Sequence, residues 1–263
     1  MRSLIFCEGE SDQVLLGYYI CGKFGYQFER DRDIKGFNRK DKVCQYRNGN
    51  QDVVDIWAVG GKDRLAESIR AKLTDNKANT EREAFFDRYV VITDRDSDRE
   101  LRNLLDELQN VLVPFTGPVS LKENQWVDLR QRIDFEGEAR FQFCLTAIPE
   151  HGVGSIETFI LESVGNQGEN EKTIAEASQA LVTGLKNSLV QPCEYLKTRR
   201  DEVKAPLGVY LSVVSPEKIF DKIDKPLRNL LWHQFPTIHS GLESLDYLKS
   251  NETDGVDTAL TAN

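Results

Sequence analysis

The chain has 263 residues, 40% of them hydrophobic and 29% charged, which is the balance of a water-soluble globular protein with one large domain or two small ones. Its formal net charge of −9 excludes nucleic-acid binding by bulk charge, although a local basic surface or bridging metal ions would still accommodate phosphate. Five cysteines without a CxxC pair and three histidines without a metal-binding spacing argue against a structural zinc site and a disulfide framework.

The first predicted element is a buried strand at residues 3–8, where a short apolar run ends in Glu8. Because this run is interrupted so early by an acid, it does not have the form of a signal peptide. No uncharged apolar run in the chain approaches the roughly 18 residues of a membrane span. Together with the scattered cysteines, these features predict a cytoplasmic protein without a membrane partner.

The N-terminal half is predicted to alternate strands with helices. Apolar runs predict further strands at 53–59 and 88–93, and helical spacing of apolar residues predicts helices at 12–25, 62–73 and 99–112. The polar residues 28–50 interrupt the alternation, and we interpret them as an insertion that contains one hairpin. Such alternation is typical of a mainly parallel sheet that is covered by helices.

The C-terminal half is predicted to be mostly helical. Turn residues at 114–138 predict a loop, and an apolar run at 140–148 predicts a fourth strand. Helical spacing follows at 156–163, 170–190, 197–213 and 216–222, and apolar residues continue as far as Leu248. Residues 251–263 lack a hydrophobic pattern, which predicts a disordered tail.

These elements predict an α/β fold in two parts. We expect residues 1–165 to form a domain with a mainly parallel, four-stranded, Rossmann-like sheet flanked by helices. We expect residues 166–250 to form an α-helical extension that packs on this domain, because no linker rich in Pro, Gly or Ser separates the two.

Acidic residues stand where the predicted strands end. Glu8 ends the first strand, and Asp94, Asp96 and Asp98 follow the third. Because the carboxyl ends of parallel strands meet at one edge of the sheet, Glu8 is expected near Asp94 and Asp96, with Asp12 within reach. Grouped carboxylates repel one another, and their oxygens are the ligands that hard divalent ions prefer. For Asp12 and Asp98, a helix-capping or first-turn acid is the simpler alternative.

The turn after the second strand has a different composition. Gly60 and Gly61 allow the backbone to approach a phosphate closely, and Lys62 follows at the start of a predicted helix. We therefore expect these three residues to contact the substrate. Basic residues nearby predict either a rim around the acidic pocket or an ordinary charged helix face: Lys62, Arg64, Arg95, Arg99 and Arg102.

Three motifs in this order resemble the Toprim domain. They are the Glu8-Gly9 strand end with Asp12 a few residues on, the Gly60-Gly61 turn, and Asp94-Arg95-Asp96 with Asp98 nearby. The resemblance covers about residues 3–98. The later part is most similar to the overcoming-lysogenization-defect (OLD) type and to related stand-alone Toprim nucleases. It includes Glu157 in a Gly-x-x-Glu turn, and Lys204, which is similar to a lysine near the scissile phosphate.

The resemblance implies a nuclease that uses one or two magnesium or manganese ions. Asp94 and Asp96 would hold one ion with Glu8 and Asp12, and Asp98 and Glu157 are the candidates for a second. Glu8 would otherwise act as a general acid and base, and Lys204 would neutralise charge on the phosphate. The partner would be DNA or RNA, with a role in phage defence or repair. OLD nucleases carry an ATPase domain, but this chain has no GxxxxGK[ST] loop, so it would act alone or with a separate ATPase.

Two other functions remain open from the sequence. One is a non-catalytic Toprim-like module that binds nucleic acid or a partner ATPase. The other is a different magnesium-dependent phosphoryl-transfer enzyme, because such enzymes also group acids at the strand ends of an α/β sheet. The Glu8-Gly9 turn favours the Toprim alternative over another phosphoryl-transfer enzyme.

Overall fold

A seven-stranded mixed sheet forms the centre of the molecule in the computed structural model, which describes residues 1–29, 34–78, 85–133, 137–149, 152–190 and 195–216. The strands are β1 (Arg2–Cys7), β2 (Gln27–Glu29), β3 (Lys42–Arg47), β4 (Val53–Ala58), β5 (Arg88–Asp94), β6 (Val127–Ile133) and β7 (Gly137–Ile148). Their order across the sheet is β2-β3-β4-β1-β5-β7-β6. The predicted α/β class is confirmed.

The prediction of a four-stranded, mainly parallel sheet was wrong. The strands β4, β1, β5 and β7 are parallel to one another, as expected from the helices between them. Three antiparallel pairings extend the sheet on both sides, β2 with β3, β3 with β4, and β6 with β7. The insertion at 28–50 contributes β3, and the predicted loop at 114–138 contains β6, so both regions join the sheet.

Helices cover both faces of the sheet. They are α1 (Glu10–Phe24), α2 (Leu65–Ala78), α3 (Asp98–Thr116), α4 (Ile156–Gly165), α5 (Glu169–Ser188) and α6 (Arg199–Val214), with a 3₁₀ turn at Lys62–Arg64. Side chains alternate along β1, so Leu4 and Phe6 enter the core beneath α2 and α3. Ile5 and Cys7 face the other way, into the core beneath α1 and α4. Burial on both faces explains why the parallel strands are continuous apolar runs.

Residues Met1–Tyr210 form one compact unit, and a second unit spans Leu211–Asn263. Within the first unit, α4, α5 and α6 share a small apolar core formed by Leu161, Ala175, Leu207 and Tyr210. The helix predicted beyond residue 216, the apolar stretch up to Leu248 and the tail at 251–263 lie outside the described residues. In the part of the chain that the structure describes, no helix is long and apolar enough to cross a membrane.

Candidate functional site

A cavity of about 900 Å³ opens at the carboxyl ends of the parallel strands. This is the edge at which α/β sheets bind their ligands. Five of the predicted carboxylates line it, namely Glu8, Asp12, Asp94, Asp96 and Glu157, and Gly60, Gly61 and Lys204 line it as well. The site is therefore assembled from turns that are far apart in sequence, as the strand-end argument predicted.

Glu8 and Asp94 are joined through the backbone and through a buried threonine. The Thr93 hydroxyl donates to Glu8 Oε1 at 2.7 Å, and the backbone N–H of Asp94 donates to the same oxygen at 3.1 Å. Asp94 Oδ1 in turn accepts the N–H of Ile156 at 3.0 Å, from the first turn of α4. Within the described residues, Glu8 Oε2 and Asp94 Oδ2 accept no hydrogen bond. Each carboxylate is thus fixed by one oxygen and has the other available for a ligand.

Glu157 and Asp12 are the most deeply buried of the predicted acids, with exposures of 5% and 9%. Glu157 accepts the Ser155 hydroxyl at 2.8 Å and lies 2.5 Å from Lys204 Nζ, which reaches the site from α6. Asp12 accepts the N–H of Gly9 at 2.8 Å, so it does stabilise the start of α1. Its burial in the cavity shows that it is not only a surface helix acid. Lys204, which the Toprim resemblance singled out, lines the same cavity.

Lys62 reaches the site from the glycine turn after β4. Its Nζ donates to the backbone carbonyl of Asp94 at 3.1 Å and to Asp96 Oδ2 at 2.8 Å. Gly60 and Gly61 have φ values of +93° and +140°, which residues with a Cβ rarely adopt. The N–H of Gly60 donates to the carbonyl of Glu8 at 2.9 Å, which holds this turn beside the acids.

Arg95 and Asp98 do not occupy the predicted positions. Arg95 is 6% exposed, so it is not part of a basic rim. Its side chain donates to the carbonyl of Pro149 at 2.8 Å, pairs with Glu123, and lies 3.5 Å from Asp98 Oδ1. Asp98 is the first residue of α3, with its side chain 81% exposed, and it is not among the described residues that line the cavity. Ser97 caps the helix by accepting the N–H of Glu100.

The concentration of negative charge alters the protonation of the buried groups. Burial raises the pKa of Asp94 to about 7, and repulsion from Glu8, Asp12 and Glu157 adds to the effect. Burial also raises the pKa of Asp12, and repulsion from Glu157 and Glu8 reinforces this effect. Burial alone would raise the pKa of Glu157, but hydrogen bonds from Lys204 and Ser155 outweigh it and leave that pKa below its usual value. The site therefore favours a bound cation or proton over full ionisation.

Comparison with known proteins assigns no family to the chain. No family model matches the sequence, and no curated protein matches it. Among solved structures, it is similar to the crystal structure of a hypothetical protein from Pyrococcus horikoshii OT3. The two share 15% identity over 94% of this chain and 98% of the other, with a TM-score of 0.44. The Toprim resemblance thus rests on the motifs quoted above.

The donor chemistry of the site suits a hard divalent ion, because the cavity gathers carboxylate oxygens and no thiolate or imidazole ligand from the described residues. In the described part of the chain, no group of three or more His, Cys, Asp or Glu side chains is arranged to hold a metal ion as it stands. Lys62 and Lys204 are instead paired with Asp96 and Glu157. Coordination of a metal by Asp96 or Glu157 would therefore compete with their contacts to these lysines.

Sequence reasoning missed several residues at the site. Thr93 and Ser155 orient Glu8 and Glu157, and both are nearly buried, at 2% and 6% exposure. A small hydroxyl residue immediately before the candidate metal ligand Asp94 is the signal for Thr93 in the sequence. Lys40 and Lys42 also line the cavity, but they belong to the 28–50 insertion and no local pattern marked them.

Proposed function

We propose that this chain is a metal-dependent nuclease that hydrolyses phosphodiester bonds in DNA or structured RNA through a Toprim-like site. The observation that carries the proposal is the convergence of Glu8, Asp12, Asp94, Asp96 and Glu157 in one cavity. These carboxylates outnumber the two lysines that are paired with them. Excess negative charge at the ligand edge of an α/β sheet is a costly arrangement that a cationic cofactor would relieve.

Magnesium or manganese, held by Asp94, Asp96 and Glu8 with Asp12 and Glu157 beside them, would stabilise charge on the phosphate oxygens during an in-line displacement. Thr93 and the N–H of Asp94 orient Glu8, so that its second oxygen can bind a cation or accept a proton from an attacking water. Lys204 and Lys62 supply positive charge to the phosphate, since each already places its ammonium group beside an acid of the cavity.

A cleavage assay tests the proposal directly. Supercoiled plasmid and a structured RNA are incubated with the protein and magnesium, manganese or EDTA. We expect cleavage of at least one substrate with a metal and none with EDTA. We also expect loss of cleavage in Glu8→Gln and Asp94→Asn, whereas Asp106→Asn, an exposed acid of α3, retains it. Full activity in EDTA or in either site variant would contradict the proposal.

A second candidate is a non-catalytic module that binds nucleic acid or an ATPase partner without a metal. The ion pairs of Lys62 with Asp96 and of Lys204 with Glu157 favour it, because each lysine compensates an acid with no cofactor. Titration calorimetry separates the two candidates. The nuclease is expected to bind magnesium or manganese, and to lose that binding in Asp94→Asn, whereas the module is expected to bind neither ion.

A further inference from the structure

The carboxylates of the cavity differ in the groups that bind them. In the described part of the chain, the carboxylates of Glu8 and Asp94 accept hydrogen bonds only from uncharged donors and contact no lysine or arginine. Asp96 and Glu157, in contrast, are each paired with an ammonium group. We name Glu8 and Asp94 the open acids, and Asp96 and Glu157 the lysine-paired acids.

Two lysines reach the lysine-paired acids from separate elements. Lys62 lies in the turn after β4, and its Nζ is 2.8 Å from Asp96 Oδ2. Lys204 lies on α6, and its Nζ is 2.5 Å from Glu157 Oε1. The other oxygen of Glu157 accepts the Ser155 hydroxyl at 2.8 Å, so both oxygens of this carboxylate are occupied.

A lysine and a divalent ion compete for these carboxylates. A hard ion needs direct contact with a carboxylate oxygen, and its charge repels an ammonium group that contacts the same carboxylate. The repulsion is strongest at Glu157, because its side chain is only 6% exposed and water screens charges little at such a site. An ion therefore binds the lysine-paired acids only after the ammonium groups have left them.

Each lysine needs another anion before it leaves its acid. The side chains of Lys62 and Lys204 are 23% and 35% exposed, and each ammonium group ends a flexible stem, so both are accessible to such an anion. Lys204 lines the cavity, and Lys62 contacts Asp96, which lines it as well. A phosphodiester that enters the cavity therefore offers both lysines a replacement for their carboxylates.

From these contacts, we infer that Lys62 and Lys204 couple the binding of nucleic acid to the binding of a divalent ion. The backbone phosphates take the ammonium groups, and the ion takes the lysine-paired acids. The open acids need no such exchange, so they bind an ion without nucleic acid. Coupling between two ligands is reciprocal, so each raises the affinity of the other. The inference rests on the proposed nuclease function, and it specifies how ion binding at that site is regulated.

Manganese affinity tests the competition. Titration calorimetry without nucleic acid compares the wild type with Lys62→Met and Lys204→Met, which keep an apolar side chain and lose the ammonium group. We expect each variant to bind manganese about fivefold more tightly, the fold-change that corresponds to about 1 kcal/mol. Arg64→Met is the matched control and should bind like the wild type, since this exposed arginine lines the cavity without pairing with Asp96 or Glu157.

A slowly cleaved phosphorothioate oligonucleotide tests the coupling itself. The manganese titrations are repeated in its presence with the wild type and with Lys62→Met/Lys204→Met. We expect the oligonucleotide to raise the manganese affinity of the wild type by a larger factor than that of the double variant, because only the wild type has these ammonium groups to release. An equal factor in the two proteins would overturn the coupling.

Lysine acetylation gives a measurement that needs no substitution. The wild type is treated with an acetylating reagent in EDTA or in manganese, and peptide mass spectrometry follows each lysine. Manganese is expected to speed the acetylation of Lys62 and Lys204, because it displaces them from their acids, and to leave the exposed Lys23 of α1 unchanged. Oligonucleotide added with manganese should slow both reactions again, and unchanged rates at Lys62 and Lys204 would contradict the exchange.

The outcomes for the coupling and for the nuclease differ. A wild type that cleaves nucleic acid, with unchanged manganese affinity in both lysine variants, would overturn the coupling alone. Equally tight binding by Arg64→Met would overturn it too, since net charge would then explain the effect. Tighter binding in the lysine variants only, by a protein that cleaves no substrate, would support the coupling and refute the nuclease.

Discussion

Two acids of the sheet, Asp55 and Asp94, are buried in contrasting ways. Asp55 on β4 is completely buried and is matched by an arginine. Arg2 donates to Asp55 Oδ2 through Nε at 2.9 Å and approaches it through Nη2 at 2.7 Å, and Gln45 donates to the other oxygen at 2.7 Å. This carboxylate therefore has a strong cationic partner, and both its oxygens are satisfied.

Asp94 lies at the carboxyl end of the sheet without such a partner. Among the described residues, only the N–H of Ile156 donates to its carboxylate, and burial together with three neighbouring acids raises its pKa. Lys62 contacts Asp94 through the backbone carbonyl rather than the side chain. Asp55 is thus paired with a cation inside the protein, whereas the carboxylate of Asp94 has no cationic partner among the described residues. This difference is the physical argument for a functional site.

The largest effect is expected from Asp94→Asn, which removes the unpartnered charge while preserving the shape of the side chain. Cleavage is predicted to fall by at least about 10³-fold, or roughly 4 kcal/mol, because a ligand of the cation is lost. The melting temperature should rise instead of fall, since repulsion with Glu8, Asp12 and Glu157 is relieved. Plasmid nicking and differential scanning fluorimetry measure the two effects. A variant that is both active and less stable would show that Asp94 is a structural acid like Asp55.

Removing Arg2, the partner of Asp55, should lower the stability of the protein, in contrast to Asp94→Asn. Arg2→Met leaves Asp55 as a buried carboxylate without a cation, and we expect a loss of about 3 kcal/mol in the free energy of unfolding near neutral pH. Arg2→Met/Asp55→Asn should recover part of this loss, because no isolated buried charge remains. Urea denaturation measures each value.

The partly exposed pair of Arg47 with Glu29 is the control for that experiment. Its side chains are 36% and 32% exposed, so Arg47→Met is expected to cost no more than about 1 kcal/mol. An equal loss of unfolding free energy in Arg2→Met and Arg47→Met would show that burial of Asp55 does not make its ion pair more important for stability than a partly exposed one.

Much of the acidic site was predictable, because it follows from topology. Parallel strands share one carboxyl edge, so acids that end separate strands must converge there, as Glu8 and Asp94 do. The strand β6 could also have been recognised, since Val127, Leu129 and Ile133 alternate with polar residues. The turn residues around this segment outweighed that pattern and favoured a loop.

The remaining features depend on contacts between distant parts of the chain. The sequence made Asp98 a candidate ligand for a second ion, with a first-turn helix acid as the alternative, and the structure has it in the first turn of α3. Ser97 caps α3, and Asp98, the first residue of the helix, faces solvent. Likewise, Lys42 reaches the cavity through its pairing with Ala58, and no local pattern specifies that register.

Replacement of Arg95 tests whether this buried arginine beside the site stabilises the fold. Its backbone N–H donates to the carbonyl of Ile148 at 2.8 Å, and its carbonyl accepts the N–H of Gly154 at 3.0 Å. With its side chain also bound to Pro149 and Glu123, it fixes the turn that carries Asp94. Arg95→Ala is expected to cost about 2 kcal/mol of unfolding free energy, measured by urea denaturation, because charged hydrogen bonds are lost.

Two variants control the Arg95 experiment. Arg95→Lys keeps the positive charge but loses the planar guanidinium group with its several N–H donors. It should therefore be more stable than Arg95→Ala and less stable than the wild type. Arg99→Ala changes an exposed arginine of α3 and should stay within about 0.5 kcal/mol of the wild type. Full stability in Arg95→Ala would show that the turn is held by its backbone pairing alone.

Burial raises the pKa of Asp55 as well as that of Asp94, so the pH dependence of stability has to be compared between the wild type and Asp94→Asn. The pKa of Asp94 is raised to about 7 in the folded protein, so between its ordinary value and about 7 the native state binds more protons than the unfolded state. The free energy of unfolding therefore falls as pH rises through that window, and Asp94→Asn removes this contribution. We expect the variant and the wild type to melt together near about pH 4 and to diverge by roughly 1 kcal/mol or less per pH unit above it. Magnesium should raise the melting temperature of the wild type at high pH but not that of the variant. The bound ion would neutralise the Asp94 carboxylate, as the proton does at lower pH. A melting temperature that does not change with pH and does not respond to magnesium would show that Asp94 has no raised pKa in the folded protein and that its carboxylate binds no ion.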